Sequence, residues 1–153
     1  MRKLIEGTLV SLDGIVEGQE KWTSGYFDEE AKAHAYEALA GVDTFLLGRG
    51  TFEKFSATWP NIKGDRYFDR INGLKKLVAS TTLDAGGAWN ATTIKGNVVA
   101  EIVRLKSEPA KNIVKYGGGA IEVVRASVNS CRLLRPACAI WHTRPSGHPT
   151  PSG

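Results

Sequence analysis

The chain has 153 residues, 42% of them apolar and 24% charged, with a formal net charge of +4. That length fits one domain able to bury a core, and the balance is that of an ordinary soluble globular protein. No run approaches the roughly 20 apolar residues of a membrane span, and Glu6, Gly7 and Asp13 interrupt the stretch where a leader's apolar core would stand, so the expectation is a cytoplasmic protein with no membrane partner.

In chain order, "KLIEGTLVSLDGIVE" alternates as a first strand and breaks at Asp13-Gly14. A polar loop, "GQEKWTSGY", leads to the helical stretch "FDEEAKAHAYEALAGV". There Asp28 suits an N-cap, Glu29 and Glu30 suit the positive end, and Gly41 stops the helix. "DTFLLG" reads as a buried strand and "RGTFEKFSATW" as a short helix. "RYFDRINGL" is another short helix, and "KKLVAST" a strand with a Ser/Thr-rich exit. A loop with a short strand, "TLDAGGAWNATTIKG", follows. Val98, Ile102 and Leu105 then fall at helical spacing before Pro109. "KNIVKYGGG" is a strand ending in a glycine turn, and "AIEVVRASV" is helical. This alternation predicts an α/β fold with a central, largely parallel sheet covered by helices.

The positive charge is unevenly placed. Residues 1–122 carry 16 Lys and Arg against 16 Asp and Glu, whereas residues 123–153 carry Arg125, Arg132, Arg135 and Arg144 and no acid. The excess therefore belongs to the tail and not to a basic face of the domain, which argues against a nucleic-acid partner.

In parallel sheets, ligands bind at the carboxyl ends of the strands. Three predicted strand exits carry suitable chemistry. After "FLLG", Gly48, Arg49 and Thr51 offer a guanidinium fork, a hydroxyl and the amides of a helix start. After "KLVA", Ser80, Thr81 and Thr82 offer hydroxyls and amides. After Tyr116 come Gly117, Gly118 and Gly119, where the backbone can turn sharply or lie close to a ligand. Each feature also has an ordinary explanation: a tight turn for the glycines, a Glu53 partner for Arg49 and turn chemistry for the hydroxyls. The glycines are neither a dinucleotide fingerprint near the first strand nor a Walker loop.

Together, "RKLIEGTLVSLDGIVEG", "DTFLLGRGTFEKFSATWP", "FDRINGLKKLVASTTL" and "NIVKYGGGAIEVV" resemble the dihydrofolate-reductase-like superfamily over about residues 2–125. The closer likeness is to the reductase domain of bifunctional deaminase-reductases of riboflavin biosynthesis. The specific parts are "SLDG", the "LLGR-x-T-F-E" segment and "KYGGG".

The resemblance implies a sheet-centred NADPH-dependent reductase of a pterin-, pyrimidine- or flavin-related heterocycle. It places Gly48, Arg49 and Thr51 at the cofactor phosphates, and Ser80 and Thr81 near the 2′-phosphate. It places the diphosphate on the amides of Gly117, Gly118, Gly119 and Ala120. Thr81 stands where many members carry Arg, so NADH is carried beside NADPH. The loop holding Ser11, Asp13 and Gly14 would close over the nicotinamide, with Trp22 as an aromatic wall. Asp13 and Asp28 are the candidate catalytic acids; turn formation and helix capping are their alternative roles. A homodimer is plausible by the same likeness, and a non-catalytic nucleotide-binding module is the alternative function. No H-x-E with P-C-x-x-C is present, so no zinc deaminase step is expected.

The first 125 residues form the expected reductase domain, and 126–153 an atypical Arg/Pro/Cys-rich tail. The acidic segment and glycine-patterned strand that normally follow in this family are absent from it, so the closing strands of the sheet are expected to be missing or altered. A lost reading frame near residue 125, a metal site from Cys131, Cys138, His142 and His148, and a diverged interface tail are the three explanations. The spacing of those four lacks the short Cys-x2–4-Cys of structural zinc, so no metal is expected.

Overall fold

A computed structural model describes residues 1–117, apart from 12, 17 and 24, together with the strand 131–133. Gly118, Gly119, Ala120, the predicted helix after them and the rest of the tail lie outside the described residues. The elements are β1 (Leu4–Gly7), α1 (Gln19–Trp22), α2 (Glu29–Ala38), β2 (Val42–Gly48), α3 (Arg49–Thr58), α4 (Arg66–Gly73), β3 (Lys75–Ala79), β4 (Ala91–Ile94), α5 (Val98–Ser107), β5 (Asn112–Tyr116) and β6 (Cys131–Leu133). Short 3-10 turns stand at Trp59–Asn61 and Ala88–Asn90.

The strands form one sheet in the order β4-β3-β2-β5-β1-β6, with every pairing parallel. This is the α/β architecture expected from the alternation. The first strand is shorter than its sequence pattern: pairing with β5 ends at Gly7, where Tyr116 is its register partner. From the tail, Cys131–Leu133 joins the free side of β1 over three residues.

Two apolar layers cover the sheet. One face packs Ile5, Phe45, Leu47, Val78 and Val114 against Leu39, Phe52, Tyr67 and Ile71 from α2, α3 and α4 and the turns beside them. The other packs Leu4, Leu46, Leu77 and Ile113 against Ile102 and Leu105 of α5. Residues 44–47 of β2 are buried on both faces, as expected of a central parallel strand.

Among the described residues four cations are buried, Arg2, Lys76, Lys106 and Lys115, and three of them tie elements of the sheet together. Lys76 Nζ donates to the carbonyls of Ile71, Asn72 and Leu74 at 2.7–2.8 Å, closing the C-terminal end of α4, and lies 4.4 Å from the centre of the Trp89 ring. Burial pulls its ammonium down to about 8, which leaves it charged at neutral pH. Lys115 Nζ meets Glu6 Oε1 at 2.7 Å across paired strands, and both residues are buried. Arg2 reaches Asp43 and donates to Thr44 Oγ1 at 2.7 Å, tying the start of β1 to β2.

Candidate functional site

Because the strands are parallel, the ends of β1, β2, β3 and β5 open onto one edge of the sheet. Gly48 stands beside Ala79, and Gly7 beside Tyr116. α3 starts directly after Gly48, which is extended and provides no side-chain cap. The other described helices of eight residues or more are capped: Asp28 accepts from Ala31 N at 3.0 Å, Asp65 from Tyr67 N at 2.9 Å, and Asn97 from Ala100 N at 3.0 Å. No acid lies in the first turn of α3. Its leading N–H groups thus meet no capping side chain, and the positive end of the helix faces the sheet edge.

The three predicted exits are partly brought together. Arg49 Nε donates to Glu53 Oε1 at 2.7 Å, and Nη1 donates to Thr82 Oγ1 at 2.8 Å, bridging the β2 and β3 exits. Thr51 packs onto the β5 exit. Gly117 has φ +84°, and a Cβ there would lie 3.2 Å from Thr51 Cγ2 and 3.3 Å from Thr51 Cβ, with the hydroxyl closer still. Ser80 is turned inward, its Oγ accepting from Thr82 N at 3.3 Å and Leu83 N at 3.0 Å. Thr81 is exposed on the same turn.

The β1 side is aromatic. A Cβ on Gly7 would lie 2.9 Å from Tyr116 Cδ1, so the Tyr116 ring crosses the end of β1 where only glycine leaves room. Tyr116 stands edge-on to Phe45 at 5.0 Å, and its hydroxyl lies 3.4 Å from that of Tyr67. Tyr67 is edge-on to Phe27 at 5.4 Å, next to Asp28 at the head of α2. Burial, with the Tyr116 hydroxyl beside it, pushes the Tyr67 phenol well above its ordinary value.

Asp28 is exposed, and its carboxylate caps α2. Asp13 is exposed and accepts from Ser11 Oγ, while that same Oγ accepts from Ile15 N at 2.8 Å. Ser11 and Asp13 therefore hold one tight turn, with Gly14 at φ +89°. Trp22 ends α1, half-buried. No group of three or more potential metal ligands occurs among the described residues, and no described helix is long and apolar enough to cross a membrane.

The sequence patterns missed Gly7, Tyr67 and Tyr116 as site residues. Thr82 looked like a third hydroxyl in a Ser/Thr run, and only the path of the loop selects it for Arg49. Gly7 and Tyr116 become neighbours through the β1–β5 register, which joins residues more than a hundred positions apart. A glycine ending one strand and an aromatic residue preceding "GGG" were the available signals.

No family model matches the chain. It is 27% identical over 124 residues to the "Uncharacterized protein YyaP" of Bacillus subtilis (strain 168), covering 78% of this chain and 65% of that protein. In structure it is similar to a "Putative riboflavin biosynthesis protein" from Shewanella sp. PV-4, with a TM-score of 0.50, 19% identity, and coverage of 78% of this chain and 66% of the other. The chain thus spans just under two thirds of the length of each. The structural likeness shows a shared fold.

Proposed function

We propose that the chain is an NAD(P)H-dependent reductase of a pterin-, pyrimidine- or flavin-related heterocycle. The observation that supports this most is the meeting of strand exits: Thr51, at an uncapped helix start, packs on Gly117, and Arg49 bridges to Thr82. These residue types fit a dinucleotide. The leading amides of α3 and the Arg49 fork, with its five N–H donors, suit phosphate oxygens. Gly117 brings bare backbone close to them without a Cβ. By the family resemblance, Gly118, Gly119 and Ala120 would continue that cradle, and Ser80 and Thr81 would lie at the ribose end.

When bound, a reduced nicotinamide supplies hydride; the protein supplies position and a proton. Gly48, Arg49 and Thr51 would anchor the phosphates. The loop of Ser11 and Asp13 would exclude water, and Trp22 would wall the ring. Asp28 would act as acid at the head of α2. The test is to incubate the purified chain with NADPH or NADH and a panel of pterins, aminopyrimidines and flavins, following loss of reduced nicotinamide absorbance. Consumption that depends on both enzyme and one heterocycle class is expected; none with any member refutes the reductase.

A second proposal is a nucleotide-binding module without catalysis. It is favoured by one observation: Asp13 and Asp28, the two candidate acids, are both bonded within their own turns. It predicts cofactor binding with no turnover.

A further inference from the structure

We propose that Thr82 is a positioning residue: it holds the Arg49 guanidinium between the β2 and β3 exits, ready for a phosphate of the dinucleotide. The ligand class rests on the reductase proposal. The positioning rests on bonds within the chain.

Arg49 is the first residue of α3, directly after Gly48, and Gly48 lies beside Ala79 in the sheet. The β2–β3 register thus fixes its backbone, but its side chain is 53% exposed and by itself would sample many rotamers. Two bonds remove that freedom. Nε donates to Glu53 Oε1 at 2.7 Å, one turn along the same helix, and Nη1 donates to Thr82 Oγ1 at 2.8 Å, from the neighbouring exit. Glu53 alone would tie the fork to its own helix as an ordinary i,i+4 pair. Thr82 draws it across to the β3 exit. Of the five N–H donors these bonds use two, and the other three belong to Nη1 and Nη2, the planar end that suits phosphate oxygens.

Thr82 can do this because its own place is fixed. Ser80 Oγ accepts from Thr82 N at 3.3 Å and Leu83 N at 3.0 Å, closing the turn after β3. Leu83 packs on the core, and the buried Ala85 donates its N–H to Thr93 Oγ1 of β4 at 2.9 Å. Further along the same connection, the Trp89 ring lies 6.2 Å from that of Phe52 on α3. Trp89 has φ +51°, a left-handed backbone uncommon for a bulky residue, and its Nε1 donates to Asn72 Oδ1 at 2.8 Å. The connection that carries Thr82 is therefore pinned to β4, to α4 and to the helix that carries Arg49. A β-branched side chain adds stiffness at χ1.

The consequence falls on binding. A phosphate that meets a loose arginine must first order it, and preorganisation removes that entropic cost. Exposed bonds of this kind add little to stability. Thr82 acts through Arg49, by deciding where its fork stands before a ligand arrives.

The experiment measures, by calorimetry on the full chain, affinity for NADPH and for inorganic pyrophosphate in wild type, Thr82→Val, Thr82→Ser, Arg49→Ala and the double Arg49→Ala, Thr82→Val variant. Thr82→Val keeps the shape and removes the acceptor; it should weaken both ligands about three- to tenfold, the worth of one hydrogen bond. Thr82→Ser keeps the acceptor and should stay within about twofold of wild type. With Arg49→Ala already present, Thr82→Val should add nothing further, a coupling that lost packing or a lost direct ligand contact would not reproduce. In wild type carrying 15N-labelled arginine, the Nε–H resonance of Arg49, identified by its absence from Arg49→Lys, should move on saturation while that of Arg104 stays. This reading needs no substitution at position 82 to fold. Equal affinities in Thr82→Val and wild type, an equal loss in the Arg49→Ala background, or an Arg49 resonance that ignores bound NADPH would each overturn the role of Thr82 and leave the reductase standing. Pyrophosphate bound with the same dependence on Thr82, by a chain that ignores NADPH, would sink the reductase and leave the positioning role. A wild type that binds neither would overturn both.

Discussion

Thr51 fills the space that a side chain on Gly117 would occupy, although the two residues belong to different strand exits 66 positions apart. This contact sets how closely the start of α3 approaches the end of β5. It also makes residue 117 doubly restricted, by a left-handed backbone and by a packed neighbour.

Gly117→Ala is therefore expected to destabilise the fold by about 1–3 kcal/mol, combining left-handed strain with overpacking. Adding Thr51→Ala should recover only part of the loss, because the strain at φ +84° remains. Urea melts of the two singles and the double variant measure the coupling. Strictly additive losses would mean that Thr51 and Gly117 do not press on each other.

Arg49→Ala should leave stability within about 0.5 kcal/mol, since its pair with Glu53 is half exposed on both sides. Its effect should fall on cofactor binding, where a charge-assisted phosphate contact is worth about 1.5–3 kcal/mol. Calorimetric titration should show NADPH affinity reduced roughly tenfold or more. Arg49→Lys should not restore it in full, because the planar fork is lost.

Asp65 gives a pH signature. Burial alone would raise its pKa, but the Lys32 ammonium and the Phe68 and Tyr67 amides outweigh it, so the carboxyl titrates below its ordinary 3.8. In acid the unfolded chain binds more protons at this residue than the folded one, so stability rises with pH across that window. The contribution is complete above the unfolded value and disappears as pH falls through the folded one. Asp65→Ala should cost about 1–2 kcal/mol near neutrality and less in acid, whereas Asp65→Asn keeps the cap and should cost under 1 kcal/mol. Melts from pH 7 downward compare the slopes, and parallel curves for Asp65→Ala and wild type would contradict this.

Glu6 and Lys115 form a buried pair whose removal should be asymmetric. Glu6→Met alone leaves a buried ammonium without this carboxylate and should cost about 3–5 kcal/mol; the double Glu6→Met, Lys115→Met variant should be markedly more stable than either single. Chemical denaturation of the three variants reads the difference.

The parts of the fold written in local chemistry were legible in the sequence. Asp28 before Glu29 and Glu30, with Gly41 beyond, located α2, and the apolar run through Leu46 and Leu47 marked β2 as buried. Gly117 stood out as a backbone needing freedom. The length of β1 was not legible, because the alternation runs past Gly7 while the partner strand ends at Tyr116. Nothing in the local sequence marked Lys76 and Lys115 as buried; the placement of α4 above β3, and of Glu6 beside Lys115, is what gives them partners. For the site, residue types at three exits were readable, but which hydroxyl meets Arg49 and which ring covers Gly7 depend on loop paths and register. Local pattern does not encode these.

A thermal-melt titration with NADPH and, separately, NADH tests the cofactor site most directly. A ligand bound only by the folded chain adds about 2.7 kcal/mol of stability at a hundredfold excess over Kd. A dinucleotide site at the β2, β3 and β5 exits predicts a saturable rise in Tm with at least one of the two, reduced by Arg49→Ala. A cooperative melt that neither cofactor moves would contradict it.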